Sequence, residues 1–361
     1  MRYERRIHPA RLPFYPMPTL TRRQFLRTAA AATAFSCATP RSRAQAAAPA
    51  LGQGEFRYRV VPGWGVLGAE TPVKDCHGLV RDREGHIILL TNHTANNVIV
   101  YDRQGRLVAK WGRAFPGAHG LSLVTEEKRE VLFITDLATH RVVKTTLDGA
   151  ILDEWRWPES SGKYQKEDEY RPSWTLHLPN GDFFVLDGYG RDYIAHYRAD
   201  GKLARVFGGA EGGIVHWGPH GGMVDARAPA DPTLLIAMSD QQHLLRLALD
   251  GRKLAQVDLP GGNPRQIRPH GKNFFVAHLA DNWPKDRASR GFLSVLDADL
   301  RVVSNIAGTP PVYDDAGKLQ PMRHQEDVFL HPHDLAIDDD GSIYVAQFSS
   351  NQTYPIKLER I

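Results

Sequence analysis

From Cys76 onward the chain repeats one pattern six times, which restricts its fold more than any other property of the sequence. The units begin at Cys76 (CHGLVRDREGHIILLTNHTANNVIVYDRQG), Ala118 (AHGLSLVTEEKREVLFITDLATHRVVKTTLDG), Pro172 (PSWTLHLPNGDFFVLDGYGRDYIAHYRADG), Pro219 (PHGGMVDARAPADPTLLIAMSDQQHLLRLALDG), Pro264 (PRQIRPHGKNFFVAHLADNW) and Pro332 (PHDLAIDDDGSIYVAQ). In each, a short apolar strand leads through a polar turn such as Glu84-Gly85, Asn180-Gly181 or Asp340-Gly341 into a second strand rich in β-branched and aromatic residues. A third strand follows, and a second turn (Asp148-Gly149, Asp200-Gly201, Asp250-Gly251) leads to a fourth. Four strands in roughly 50 residues predict propeller blades rather than a sandwich. The sixth unit ends after its third strand, YPIKLER, while FRYRVVP at 56–62 precedes the first unit without a hairpin partner. Pairing the two completes the last blade and removes two exposed sheet edges. The expectation is an all-β, six-bladed β-propeller over 47–361, closed by its N-terminal strand, with 163–171 and 308–331 as solvated inter-blade loops.

Residues 1–46 are of a different kind. They hold nine arginines and a single acid, Glu4, whereas the 315 residues after them carry 36 basic and 40 acidic side chains. The formal charge of +4 is therefore set by this segment, and the propeller region is mildly acidic at −4, which argues against a nucleic-acid partner. TRRQFLR at 21–27 precedes a modest apolar stretch and then Ala44-Gln45-Ala46, the order of a twin-arginine export signal with its cut site. The expectation is a signal peptide over 1–46 and a periplasmic or secreted protein. No apolar run approaches the length of a membrane span. Past the cut site one cysteine remains, Cys76, so no internal disulfide is expected and stability must come from the core.

The first strand of every propeller blade runs along the central channel, so equivalent positions converge. His77, His119, His220 and His333 each stand just before the apolar part of that strand. Converging neutral imidazoles suit Zn²⁺ and other borderline divalent ions, and three protein ligands with an open position describe a catalytic site. No nucleophile elbow, H-E-x-x-H or C-x-x-C sequence occurs, and the Gly-rich stretch 208–222 lacks the context of a phosphate loop.

With these residues the chain resembles propellers built from NHL repeats, and among them the catalytic domain of peptidyl-α-hydroxyglycine α-amidating lyase. The resemblance implies that His119, His220 and His333 hold zinc, that Asp334 binds calcium, and that Tyr189, in Asp187-Gly188-Tyr189, is the catalytic base. A phenol beside a divalent cation has its pKa lowered. The departures are specific. The lyase's two substrate arginines would fall at Asn92 and near Asp240-Gln241, a methionine of the family is replaced by His331, and both blade disulfides are absent. Without the two guanidinium groups the bidentate recognition of a peptide carboxylate is lost.

The reading that follows is an exported, monomeric propeller with a divalent metal on its axis: zinc first, with iron, manganese or copper as alternatives and structural calcium as a further expectation. It predicts a metal-dependent lyase-like or hydrolytic enzyme for a small polar substrate, with His77, Asn92 and His331 as additional channel residues. His93 and His278 stand at strand ends and are read as satisfied polar residues. The alternatives are a non-catalytic binding module and a lactonase-type hydrolase with Glu, Asn and Asp around Ca²⁺.

Overall fold

The computed structural model describes residues 49–361 apart from 281 and 283, and the expected export signal lies outside the described residues. The described residues form one unit of 24 strands in six four-stranded antiparallel sheets. Blade 1 holds β2 (Cys76–Arg81), β3 (Ile87–Thr91), β4 (Val98–Tyr101) and β5 (Leu107–Trp111). Blade 2 holds β6 (Ala118–Glu126), β7 (Arg129–Asp136), β8 (Arg141–Thr146) and β9 (Ile151–Trp155). Blade 3 holds β10 (Trp174–His177), β11 (Phe183–Leu186), β12 (Tyr193–Tyr197) and β13 (Leu203–Gly208). Blade 4 holds β14 (Pro219–Asp225), β15 (Thr233–Met238), β16 (His243–Ala248) and β17 (Lys253–Asp258). Blade 5 holds β18 (Gly262–His270), β19 (Asn273–Ala280), β20 (Phe292–Leu296) and β21 (Val302–Ile306). Blade 6 holds β22 (Pro332–Ile337), β23 (Ile343–Gln347) and β24 (Ile356–Arg360), and its fourth strand is β1 (Tyr58–Val61) from the other end of the chain.

Burial follows each strand's place in its blade. Second strands such as IILLT and FFVL are buried on both faces because adjacent blades sandwich them, so they read as continuous apolar runs rather than alternating ones. Fourth strands lie at the rim, and LVAKW, ILDEW and KLAQVD are mostly exposed. Between the blades lie apolar layers, one of them built from Trp174, Phe184 and Ile194 of blade 3 against Leu234 and Ile236 of blade 4. The segment 163–171 is a loop that contains one short 3-10 turn (Glu167–Glu169) after another at Glu159–Ser161, and 308–331 is a loop with two isolated bridges. Neither is wholly solvated, since Tyr164, Tyr170, Met322 and Phe329 are buried. Among the described residues no helix is long and apolar enough to cross a membrane.

The ring closes by the same device that joins its blades. The aromatic residue ending or following a fourth strand reaches over the third-to-fourth-strand turn of the next blade. Trp111 Nε1 donates to Leu147 O at 2.9 Å and Trp155 Nε1 to Gly201 O at 3.0 Å. The rings lie where a side chain on Gly149 or Gly201 would project, and both glycines have φ of +94° and +78°. At the junction of the two chain ends Trp64, just after β1, donates from Nε1 to Arg103 O at 3.0 Å and covers Gly105. Trp64 also packs on Tyr101 and Tyr344, with ring centroids 5.2 and 4.7 Å away.

Trp64 is thus expected to carry much of the closure. Trp64→Ala should lower the unfolding free energy by about 3–5 kcal/mol, and Trp64→Phe, which keeps most of the packing, by ~1 kcal/mol from the lost hydrogen bond. Denaturant unfolding at unchanged slope measures both.

Candidate metal centre

The channel site is made by one repeated backbone irregularity. In five blades the ladder between first and second strands shifts register at the same point, between Cys76 and Gly78, Ala118 and Leu121, Pro219 and Gly221, Pro264 and Ile267, and Pro332 and Asp334. A bulge of this kind takes a residue out of the ladder and re-aims its side chain. The residues at that register are His77, His119, His220, Arg265 and His333, and Ser173 holds the place in blade 3, whose ladder is regular.

Each of three histidines reaches across to the register residue of the next blade. Nδ1 of His119 lies 2.9 Å from Ser173 O, Nδ1 of His220 3.0 Å from Arg265 O, and Nδ1 of His333 2.7 Å from His77 O. A carbonyl only accepts, so each Nδ1 carries the proton and each Nε2 is left with a lone pair. In blades 2 and 4 this close approach requires the residue after the histidine to be a glycine. A Cβ on Gly120 would lie 2.5 Å from Ser173 O, and one on Gly221 2.3 Å from Arg265 O. His333, followed by Asp334, makes the same contact without a glycine, and His77, followed by Gly78, does not make it, its Nδ1 being buried without a partner.

The four imidazoles are buried, at 8%, 1%, 3% and 1% exposure for His77, His119, His220 and His333. His119 and His333 have ring centroids 4.7 Å apart; His77 lies 4.8 and 4.7 Å from them on one side, and His220 4.9 and 4.7 Å on the other. Burial holds all four well toward the neutral form, pushing His77 down to about 4 against the pull of Asp75. One ligand atom from each of His77, His119 and His333 falls within 4.8 Å of the others, and Nε2 of His333 is buried with no hydrogen-bond partner. His119 and His333 are pre-oriented by their Nδ1 contacts while Nδ1 of His77 is buried without a hydrogen-bond partner, and neutral nitrogen donors with unused buried lone pairs fit a divalent ion.

Tyr189 joins the cluster from the turn after β11, its hydroxyl 3.0 Å from His220 Nε2 and 3.3 Å from His119 Nε2. Asp187 shapes that turn by accepting from the amides of Arg171 and Arg191 at 2.6 and 2.7 Å and from the Tyr164 hydroxyl at 2.9 Å. Burial still pushes its carboxyl up to about 7. Gly188 is required by close approach, since a Cβ there would lie 2.2 Å from Pro219 O. Burial raises the Tyr189 phenol, with Arg265 and Arg171 opposing.

Arg265 is the residue that sequence reasoning missed. It is 6% exposed, its Nε is buried without a partner, and burial pulls its guanidinium below the usual arginine range while Tyr189 and Asp240 favour the charge. A guanidinium therefore enters the site from the first strand of blade 5, far in sequence from Asn92 and Asp240-Gln241. Asn92 is bonded to Asp75, with its Nδ2 3.0 Å from Asp75 Oδ2. His331 lies against Phe348, with Nδ1 3.1 Å from its carbonyl. Cys76 is a buried free thiol, 3.6 Å from Thr353 O. His93 accepts the Ala95 amide in its own turn at 3.1 Å. His278 stacks on Phe292, and neither of its ring nitrogens has a hydrogen-bond partner, contrary to the expectation of a satisfied residue.

The calcium expectation at Asp334 is corrected. Arg268 Nε and Nη2 bind its two carboxylate oxygens at 2.9 and 2.6 Å, and the Leu79 and Leu335 amides donate to it at 2.8 and 2.7 Å. Nη2 also donates to Leu79 O at 3.0 Å and Leu121 O at 3.4 Å, and the guanidinium lies over Trp174 at 5.6 Å. The chain's own cation occupies this part of the channel and ties five blades together, so the residues present do not fit a calcium site.

No protein-family model matches the chain. It is 26% identical over 270 residues to peptidyl-alpha-hydroxyglycine alpha-amidating lyase 1 of Drosophila melanogaster, an alignment covering 68% of this chain. That alignment covers 45% of the fly protein, so the chain spans under half the length of this relative. Among solved structures, a streptogramin B lyase superposes with a TM-score of 0.56 at 14% identity, covering 84% of this chain and 97% of that one. Kuenenia stuttgartiensis hydrazine synthase does so with a TM-score of 0.50 at 14% identity, covering 83% and 99%. These two establish the propeller fold alone, and the fly protein is a distant relative.

The Arg268 assignment has a stability consequence. Arg268→Ala leaves Asp334 buried without its counter-ion and should cost about 3–5 kcal/mol. The double change Arg268→Met with Asp334→Leu removes both charges and should recover most of that loss in thermal unfolding.

Proposed function

We propose that the chain is a metal-dependent enzyme, lyase-like or hydrolytic, acting on a small polar substrate at the channel mouth. The observation that carries this reading is the buried imidazole cluster beside Tyr189 and Arg265. The distant similarity to an amidating lyase supports the lyase-like alternative. His77, His119 and His333 would hold the ion, and an ion bound there would polarise a substrate oxygen or lower the pKa of water. Tyr189, with its hydroxyl against His119 and His220, would exchange a proton with that substrate. Arg265 supplies a buried cation for an anionic substituent, a role its planar donor fork suits.

At the channel register the side chains are four imidazoles, a hydroxyl and a guanidinium, which favours nitrogen ligands over the oxygen ligands of the lactonase alternative. The arginine-rich leader with its Ala44-Gln45-Ala46 site supports export, and we extend the proposal to a periplasmic or secreted monomer.

Purified protein loaded with Zn²⁺, Fe²⁺, Mn²⁺ or Cu²⁺ should hold about one tightly bound ion per chain. His333→Ala should lose it, and a wild-type protein that holds no stoichiometric ion would overturn the proposal. On a panel of small hydroxylated acids and lactones, Tyr189→Phe should keep the ion and lose roughly 10²–10⁴-fold in turnover.

A further inference from the structure

The four imidazoles are not equivalent. His119 and His333 form the short diagonal of a rhombus whose ends are His77 and His220. Two three-histidine faces therefore share one edge. The group whose ligand atoms converge within 4.8 Å is the face that contains His77.

His220 is committed elsewhere. Its Nδ1 proton goes to Arg265 O at 3.0 Å, so its Nε2 is an acceptor, and at 3.0 Å it makes the shorter of the two imidazole contacts of the Tyr189 hydroxyl. A phenol has one proton to donate. Once the Nε2 lone pair of His119 serves an ion, His220 is the imidazole left to accept that proton. The pairing is built into blades 3 and 4. Ser173 Oγ donates to Pro219 O at 2.9 Å and receives the Gly188 amide at 3.3 Å, which holds the Tyr189 turn against the residue preceding His220. Asp187 fixes the other side of the same turn.

We propose that His220 is a positioning residue for Tyr189 rather than a metal ligand, and that the ion is held by His77, His119 and His333. The inference rests on the metal-centre reading above and specifies its chemistry. With its hydroxyl proton committed to His220, Tyr189 offers oxygen lone pairs to the substrate. The group it meets must then be a hydrogen-bond donor, which makes the substrate a hydroxyl-bearing molecule or a water.

The test uses the whole chain loaded with Co²⁺ or Zn²⁺. Wild type and His220→Gln, whose amide oxygen also accepts, should each bind one Co²⁺ with similar visible spectra, and the affinity of His220→Gln should fall by no more than ~10-fold. His77→Ala should lose more than ~100-fold, since it removes a direct ligand rather than an outer partner. In ¹⁵N-histidine spectra of the zinc-loaded wild type, three imidazoles should show metal-bound nitrogens. The Nε2 signal of His220 should be that of a hydrogen-bond acceptor, and it should move in Tyr189→Phe, a change that a merely structural role would not produce. Four metal-bound imidazoles in the wild type, or a His220→Gln protein that loses Co²⁺ while His77→Ala retains it, overturns the inference and leaves the metal centre standing. A wild type that binds neither ion overturns the metal-centre reading itself. The spectrum of the wild type decides the point even where a variant fails to fold.

Discussion

The structure depends on a hydrogen bond made sideways, from the imidazole Nδ1 of one blade to the backbone carbonyl at the same register of the next. It occurs from His119 to Ser173, from His220 to Arg265 and from His333 to His77, the last across the boundary between the final blade and the first. The interaction does two things at once. It ties neighbouring blades where they come closest to the axis, and it fixes the tautomer so that each Nε2 faces the channel with a lone pair. Two of the proposed ligands, His119 and His333, and the Tyr189 partner His220 are oriented by this one local geometry, whereas His77 lacks it, its Nδ1 being buried without a hydrogen-bond partner. The bulge that turns the side chain inward belongs to the same geometry, and in blades 2 and 4 so does the glycine that admits the neighbouring carbonyl.

This explains what the sequence made legible. Blade count and closure by the N-terminal strand followed from local signals, the turn residues and the apolar runs, and the six sheets and the β1–β24 pairing agree with them. The histidine register was visible because the repeat aligns it. Arg265 was not, since a search for an arginine at the two positions inherited from a resemblance looks in the wrong blades, and nothing in PRQIRPH marks its guanidinium as buried. Trp64 stayed hidden for another reason. It lies outside the six units, and its role appears only when the chain ends meet and it takes the place that Trp111 and Trp155 hold elsewhere. Asp334 was read as an ion ligand from the resemblance, and nothing in the sequence pairs it with Arg268, 66 residues away in another blade.

Along the channel, charge is handled in two ways. At Arg268 and Asp334 a fixed cation and a fixed anion meet with their remaining valences taken by backbone groups, and a site satisfied to that degree has no demand for an outside ligand. At the histidine register the donors are neutral and one cation, Arg265, is buried without a hydrogen-bonded counter-ion among the described residues. The carboxylates nearest in effect are engaged, Asp75 with Asn92 and the Ser349 amide, and Asp240 with Asn263.

A divalent ion held by neutral imidazoles would keep its full charge, and Arg265 would add to it. The resulting excess of positive charge in a poorly solvated place would be stable only with an anion or a strongly polarised oxygen against both. The same excess would favour the deprotonated form of a hydroxyl or water bound there and disfavour placing a further proton on the surrounding imidazoles, which burial already keeps neutral. A proton leaving such a hydroxyl could pass to the Tyr189 oxygen only as Tyr189's own proton moves on to His220 Nε2, 3.0 Å away, which makes Tyr189 a relay and not a terminal acceptor.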